Sequence, residues 1–123
     1  FIPVSRYLQA QKARAILNKQ SAKLFTKVDI LAGPTVSIPA PKIGTTEVDI
    51  SGTKTNMFQA MSLYTRPDNL TGHPTISIPC GFSPDKLPIG LQLSGRSFDE
   101  STVLRTAYAY EQATTWHKTH PPL

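Results

Sequence analysis

Cys80 is the side chain of this sequence best suited to nucleophilic attack, because a thiolate is intrinsically reactive. A thiol enzyme also needs a base, and the nearest histidine, His73, precedes Pro74 in a segment typical of a turn. Cys80 stands among alternating apolar residues of a predicted strand, where cysteine commonly serves as a small buried hydrophobe. We interpret Cys80 as a packing residue and keep a thiol enzyme as an alternative.

Metal and phosphate chemistry find little support in the residue spacing. His117 and His120 are three residues apart near the predicted end of a helix, but no third ligand follows at a zinc-type spacing. Neither the G-x-S-x-G pattern of a serine hydrolase nor a G-x-x-x-x-G-K-[ST] phosphate loop occurs. Residue spacing therefore predicts no catalytic group, no metal and no organic cofactor in this chain.

The N-terminal half is predicted to contain two helices and a strand. Apolar residues at helical spacing indicate a long amphipathic helix over about 5–25. A short apolar run at 28–32 predicts a buried strand that Gly33-Pro34 ends. Residues 35–53 are rich in Pro, Gly, Ser and Thr, which predicts an extended connection. A second helix is expected over about 55–64, limited by Pro67.

The C-terminal half is predicted to contain a turn, two strands and a helix. After turn chemistry at 69–74, alternating apolar residues at 76–82 and 89–95 indicate two adjacent antiparallel strands. Asp99 is a good helix N-cap, and Phe98 and Val103 occupy the two positions of a hydrophobic staple. Three strands and three helices predict an incomplete α/β fold, because apolar strands of this kind usually need more neighbours.

Composition narrows the class of protein further. The 39% hydrophobic and 17% charged residues are typical of a packed globular chain. One cysteine cannot form an internal disulfide, and no apolar run approaches the roughly 20 residues of a membrane span. We therefore expect a cytoplasmic protein without a membrane partner. The net charge of +5 comes from scattered Lys and Arg, so nucleic acid is not the expected partner, and a basic binding module remains an alternative.

Several stretches of the sequence, in this order, carry a family resemblance. They are YLQAQKAR at 7–14, VDILAGPT at 28–35, YTRPDNLTGHP at 64–74, ISIPCGF at 76–82, LPIGLQL at 87–93, YAYEQATTWH at 108–117 and PPL at 121–123. Together they span nearly the whole chain and resemble the C-terminal end of the amidase signature family.

The resemblance implies a fold and an incomplete enzyme. Residues 1–123 would form the C-terminal portion of a single amidase domain, an α/β/α sandwich with a mixed central sheet. The start at Phe1 rather than methionine agrees with a missing upstream part. Members of the family hydrolyse carboxamides with a Ser-cis-Ser-Lys triad and no cofactor, and no stretch here matches the segments that carry the triad. We therefore expect this chain to be inactive alone, and to need the missing N-terminal catalytic part as its partner.

The same resemblance suggests which residues contact a small-molecule amide substrate. The A subunit of the tRNA-dependent amidotransferases is similar here but has an aspartate where this chain has Ser62, which favours a general amidase and leaves the amidotransferase as an alternative. Arg66 either binds a carboxylate through two hydrogen bonds or forms an ion pair at the surface, and both interpretations stay open. Asn69 belongs to the family's turn. Asp68 stands where the family often has an apolar residue, which leaves the packing of that turn open. A homo-oligomer is also possible.

Overall fold

Residues 1–120 are described by a computed structural model. Within them the chain forms four α-helices and five strands, and the strands form two sheets. In chain order the elements are α1 (Val4–Leu24), β1 (Ile30–Pro34), β2 (Glu47–Ile50), β3 (Thr53–Asn56), α2 (Met57–Ser62), α3 (Thr65–Thr71), β4 (Thr75–Phe82), β5 (Pro88–Gly95), α4 (Glu100–Ala113) and a 3₁₀ turn at Trp116–Lys118. The predicted α/β class is confirmed. The PPL stretch at 121–123 lies outside the described residues.

The larger sheet has the strand order β1-β5-β4, and both pairings are antiparallel. The predicted β4/β5 pair is confirmed, with Ser77 opposite Gln92 and a register shift after Pro79. The strand predicted at 28–32 instead begins at Ile30 and continues through Pro34. Proline is tolerated there because β1 is an edge strand of the described sheet, so its missing N–H need not serve a second neighbour.

The two faces of this sheet differ in polarity because successive side chains of a strand point to opposite sides. One face packs its apolar side chains against α4. That core comprises Ile78, Leu93 and Ala107, with Ile30, Ile76, Leu91 and Tyr110 around them. The opposite face, called the polar face below, carries Thr75, Ser77, Gly90, Gln92 and Ser94, with Thr35 beside it.

The start of α4 confirms the predicted cap but not the predicted staple. Asp99 Oδ1 accepts hydrogen bonds from the Thr102 hydroxyl at 2.7 Å and from the Thr102 backbone N–H at 3.3 Å. The Thr102 hydroxyl is the main cause that holds the pKa of Asp99 below its ordinary value. Val103 is buried, whereas Phe98 is 94% exposed. At this exposure the Phe98 ring does not form the staple, and its backbone has a positive φ of 64°.

The predicted extended connection at 35–53 was partly wrong, because its end forms a hairpin of β2 and β3. Ser51 and Gly52 make the turn with φ values of 52° and 85°. Such a pair of positive φ angles is typical of a two-residue hairpin turn, and glycine adopts it without steric cost. Asp49 Oδ1 accepts the Gly52 N–H at 2.7 Å, which fixes the turn.

The predicted turn at 69–74 was also partly wrong, because α3 occupies Thr65–Thr71. Pro67 lies within its first turn, where a missing N–H costs nothing since that group has no partner inside a helix. Gly72 ends the helix in the left-handed conformation with φ 77°, and its N–H donates to the Asp68 carbonyl. The loop chemistry is therefore confined to residues 72–74.

The long helix α1 was predicted correctly, but its predicted amphipathic character was wrong, because its apolar side chains form no single stripe and none is buried against residues 1–120. Apolar side chains such as Leu8, Ile16 and Leu24 lie on different sides of the helix and are exposed. Two contacts hold the helix to the rest of the fold: Arg14 Nε donates to the Leu70 carbonyl at 2.6 Å, and Ser21 contacts His73. Of the helices within 1–120, none combines the length and apolar character needed to cross a bilayer.

Candidate functional site

A cavity of about 470 Å³ opens over the polar face of the sheet, beside α3. We call it the polar cavity, because most of its side chains carry hydrogen-bonding groups. It is lined by Thr35, Thr65, Asp68, Asn69, Gly72, His73, Pro74, Thr75, Ser77, Gln92 and Glu100. These residues come from four separate stretches of the sequence, at 35, 65–77, 92 and 100. The β4/β5 register places Ser77 opposite Gln92 among them.

Asp68 ties α3 to the polar face. Its Oδ2 accepts hydrogen bonds from Gln92 Nε2 at 2.8 Å and from Ser94 Oγ at 2.7 Å. Both donors are buried, with 8% and 4% exposure. Gln92 Nε2 also donates to the Tyr64 carbonyl, and Thr75 donates to Ser94. Asp68 therefore holds α3 against the sheet through hydrogen bonds.

Thr35 and Ser77 meet above the central strand. Their hydroxyl oxygens are 2.6 Å apart, and the Thr35 N–H donates to the Gly90 carbonyl at 2.9 Å. A Cβ at Gly90 would lie 2.7 Å from Ser77 Oγ and 2.8 Å from Thr35 Oγ1. Only glycine leaves room for this hydroxyl pair, so the floor of the polar cavity depends on Gly90.

His73 lies between the polar cavity and a second cavity of about 530 Å³ beside α1, with its ring against Phe25. The Ser21 hydroxyl donates to the Asn18 carbonyl at 3.0 Å, so its proton is already used. The neutral tautomer of His73 that fits this arrangement donates from Nε2 to Ser21 Oγ across 2.9 Å, and Nδ1 then lies 3.4 Å from Ser97 Oγ as an acceptor. In this arrangement His73 cannot act as a base toward Ser21, and the pair is not a hydrolytic dyad.

The three residues predicted to bind substrate do not share one cavity. Ser62 Oγ donates to the Phe58 carbonyl at 2.6 Å, so its hydroxyl serves its own helix. Arg66 places its guanidinium 5.9 Å from the centre of the Phe58 ring and lines a separate cavity of about 440 Å³ beside the β2–β3 hairpin. Asn69 lines the polar cavity.

The thiol and metal alternatives gain no geometric support. Cys80 is partly buried, and among residues 1–120 no hydrogen bond joins its sulfur to a histidine. His117 Nδ1 is buried without a hydrogen-bond partner in the described part of the chain. No group of three His, Cys, Asp or Glu side chains within that part gathers as a metal site would require.

The sequence analysis did not identify the residues of the polar face as a site. Ser77, Gln92 and Ser94 were visible only as the polar positions of two alternating strands. That alternation places them on the face opposite the apolar core. The missing signal was the register, which pairs Ser77 with Gln92 and Thr75 with Ser94.

Comparison with known proteins identifies the family of this fold. The sequence model of the Amidase family matches residues 3–104. The chain belongs to the amidase family. This amidase-family chain is 50% identical over 117 residues to the A subunit of a glutamyl-tRNA(Gln) amidotransferase from Synechococcus sp. (strain JA-2-3B'a(2-13)), covering 95% of the chain and 22% of that relative. It is 42% identical over 124 residues to an amidase from Pseudomonas putida, covering 99% of the chain and 26% of the relative.

A solved structure agrees with the sequence relatives. A crystal structure of an amidase superposes with a TM-score of 0.87 at 28% identity, covering 91% of this chain and 26% of that one. The amidase-family chain therefore spans about a quarter of the length of the proteins that it matches. The resemblance to the amidase signature family and the α/β fold predicted from it are confirmed.

Proposed function

We propose that this chain is the C-terminal portion of an amidase domain, whose whole enzyme hydrolyses a carboxamide to a carboxylic acid and ammonia or an amine. The family match over residues 3–104 supports the reaction class. The observation that carries the role of this portion is the polar cavity, because concave sites with converging polar groups are where substrates commonly bind.

The chain contributes sheet strands and substrate-pocket walls in this proposal. β1 and β4 are the edges of the described sheet, so their outer backbone groups are available to further strands of the larger enzyme. Asn69 places an amide in the polar cavity, where it can orient a polar substrate group. Arg66 can hold a carboxylate through two parallel hydrogen bonds in the neighbouring cavity.

The bond-breaking groups belong to the missing N-terminal part in this proposal. The family's Ser-cis-Ser-Lys triad activates a nucleophile beside a base and needs backbone donors for the oxyanion. Residues 1–123 alone are then expected to release no ammonia from simple carboxamides, whereas the protein assembled with its catalytic part releases it. Amide hydrolysis that co-purifies with the 123-residue chain through several chromatographic steps would refute this division of roles.

The A subunit of an amidotransferase is the second candidate, because the 50% identity to that relative exceeds the 42% identity to the amidase. Ser62 argues for the general amidase, since its hydroxyl is used within α2 and supplies no counter-charge for an amino group. Ammonia release from glutamine and from a simple carboxamide distinguishes the two. A strong preference for glutamine would favour the amidotransferase, and salt-sensitive binding of nucleic acid without any turnover would favour a basic binding module.

A further inference from the structure

The polar cavity is acidic in a chain whose net charge is +5. Asp68 and Glu100 contribute carboxylates to its lining, and no Lys or Arg of residues 1–120 lines it. The other titratable side chain in the lining, His73, has both ring nitrogens engaged by serine hydroxyls. A concave wall that carries one sign of charge attracts a ligand of the opposite sign.

The cavity also offers oriented acceptors. Gln92 Nε2 faces two acceptors, the Tyr64 carbonyl and Asp68 Oδ2, so the nitrogen position is fixed by its partners. Gln92 is 8% exposed, yet its Oε1 accepts no hydrogen bond from the described residues. Asp68 Oδ1 likewise accepts none within 1–120, while Oδ2 is held by Gln92 and Ser94.

We propose that the polar cavity binds the primary ammonium group of a cationic amide, and that Asp68 determines this specificity. An ammonium has three N–H donors and no acceptor, which matches the free Oε1 of Gln92 and the free Oδ1 of the Asp68 carboxylate. Glu100 adds a second, exposed negative charge at the same cavity. That the bound amide is a substrate rests on the proposed function, whereas the ammonium site itself depends only on the cavity.

The test compares two amides of matched shape on the full protein that carries this chain. 6-Aminohexanamide is cationic at neutral pH, and heptanamide replaces its ammonium by a methyl group. Because of the charged hydrogen bond at Asp68, the wild type binds the cationic amide roughly tenfold more tightly than heptanamide. The difference is measured in the dissociation constant by calorimetry and in KM. Asp68→Asn removes that preference while keeping an acceptor oxygen for Gln92 and Ser94.

Controls separate charge at the cavity from charge elsewhere. Asp85→Asn, on the exposed β4–β5 turn, keeps the preference. Glu100→Gln reduces the preference for the cationic amide by a smaller factor than Asp68→Asn. Because Glu100 is exposed, the Glu100→Gln variant keeps its fold and still tests the site if Asp68→Asn is unstable. Equal affinity of the wild type for both amides, or an unchanged preference in both cavity variants, overturns the ammonium site. Binding of the cation without turnover of either amide sinks the hydrolase proposal alone.

Discussion

Replacing Gly90 by alanine tests whether the floor of the polar cavity is built on the Thr35–Ser77 hydroxyl pair. The new Cβ would lie 2.7 Å from Ser77 Oγ and 2.8 Å from Thr35 Oγ1, where ordinary contacts begin at 3.4 Å. Gly90 lies in the central strand and has neighbours on both sides, so the strand cannot simply move away. The two hydroxyls must separate, and their 2.6 Å hydrogen bond is lost.

The expected cost follows from these contacts. Loss of one neutral hydrogen bond costs about 1 kcal/mol, and forcing a methyl group into a packed site costs about 1–3 kcal/mol. Alanine gives the unfolded chain a smaller conformational entropy than glycine does, which offsets roughly 0.4–1 kcal/mol of this loss. Gly90→Ala should therefore lower the free energy of unfolding by about 1–3 kcal/mol, or the Tm by roughly 4 °C for each kcal/mol.

Gly33→Ala is the matched control, because Gly33 lies on the neighbouring strand and a Cβ there meets nothing within 4 Å. Urea denaturation should place Gly33→Ala within about 0.5 kcal/mol of the wild type, as for a surface substitution. Adding Ser77→Ala to Gly90→Ala removes the nearest clashing atom and should recover part of the loss. Equal stability of the two alanine variants, or no recovery in the double variant, would refute the steric reasoning.

Three further predictions address the core, the helix cap and the cavity beside the β2–β3 hairpin. Ile78→Ala should cost about 2–5 kcal/mol of unfolding free energy, whereas Phe98→Ala, at an exposed position, should stay within about 0.5 kcal/mol. Because folding lowers the pKa of Asp99, its carboxylate stabilises the fold above the pKa of the unfolded state, and this stabilisation is lost as the pH falls through the pKa of the folded state. The difference in unfolding free energy between wild type and Asp99→Ala, measured in urea, should therefore narrow over that acidic interval. Arg66→Met should raise KM for carboxylate-bearing amides about tenfold, with Arg105→Met unchanged, if Arg66 binds the carboxylate.

Each of these predictions has an outcome that contradicts it. Equal losses in Ile78→Ala and Phe98→Ala would mean that the core does not lie between the sheet and α4. A gap between wild type and Asp99→Ala that stays constant at all pH values would mean that folding does not lower the pKa of Asp99. An equal KM in both arginine variants would leave Arg66 as a partner of the Phe58 ring only.

The sheet and α4 could be predicted from sequence because their signals are local. Period-two alternation at 76–82 and 89–95 located β4 and β5, and Asp99 located the start of α4. The β2–β3 hairpin was missed because its strands have only four residues each and β3 is polar, although the dipeptide Ser51-Gly52 between them is a turn signal. Pro67 was given too much weight as a helix breaker, since proline is harmless in a first turn.

The polar cavity could not be predicted because its contacts join residues far apart in sequence. Asp68 was recognised as unusual in its turn, but its two partners lie 24 and 26 residues further along. Reaching Gln92 and Ser94 requires α3 to lie on the polar face, which depends on the length of the 72–74 connection and on the β4/β5 register. Ser62 and Arg66 precede Asn69 by only seven and three residues, yet neither lines the polar cavity with it.

The central strand β5 links the stability of this chain to its proposed specificity. Leu91 and Leu93 face α4 and the core, whereas Gly90, Gln92 and Ser94 lie on the polar face. Substitutions at the first set change packing, and those at the second set change the position of Asp68 without opening the core. Both sets share one backbone, whose register is fixed by hydrogen bonds to both neighbouring strands. A shift of β5 by one residue would exchange the two faces, placing amide and hydroxyl groups against α4 and leucines beneath Asp68. The apolar packing on α4 therefore keeps the acceptor groups of the polar cavity in position.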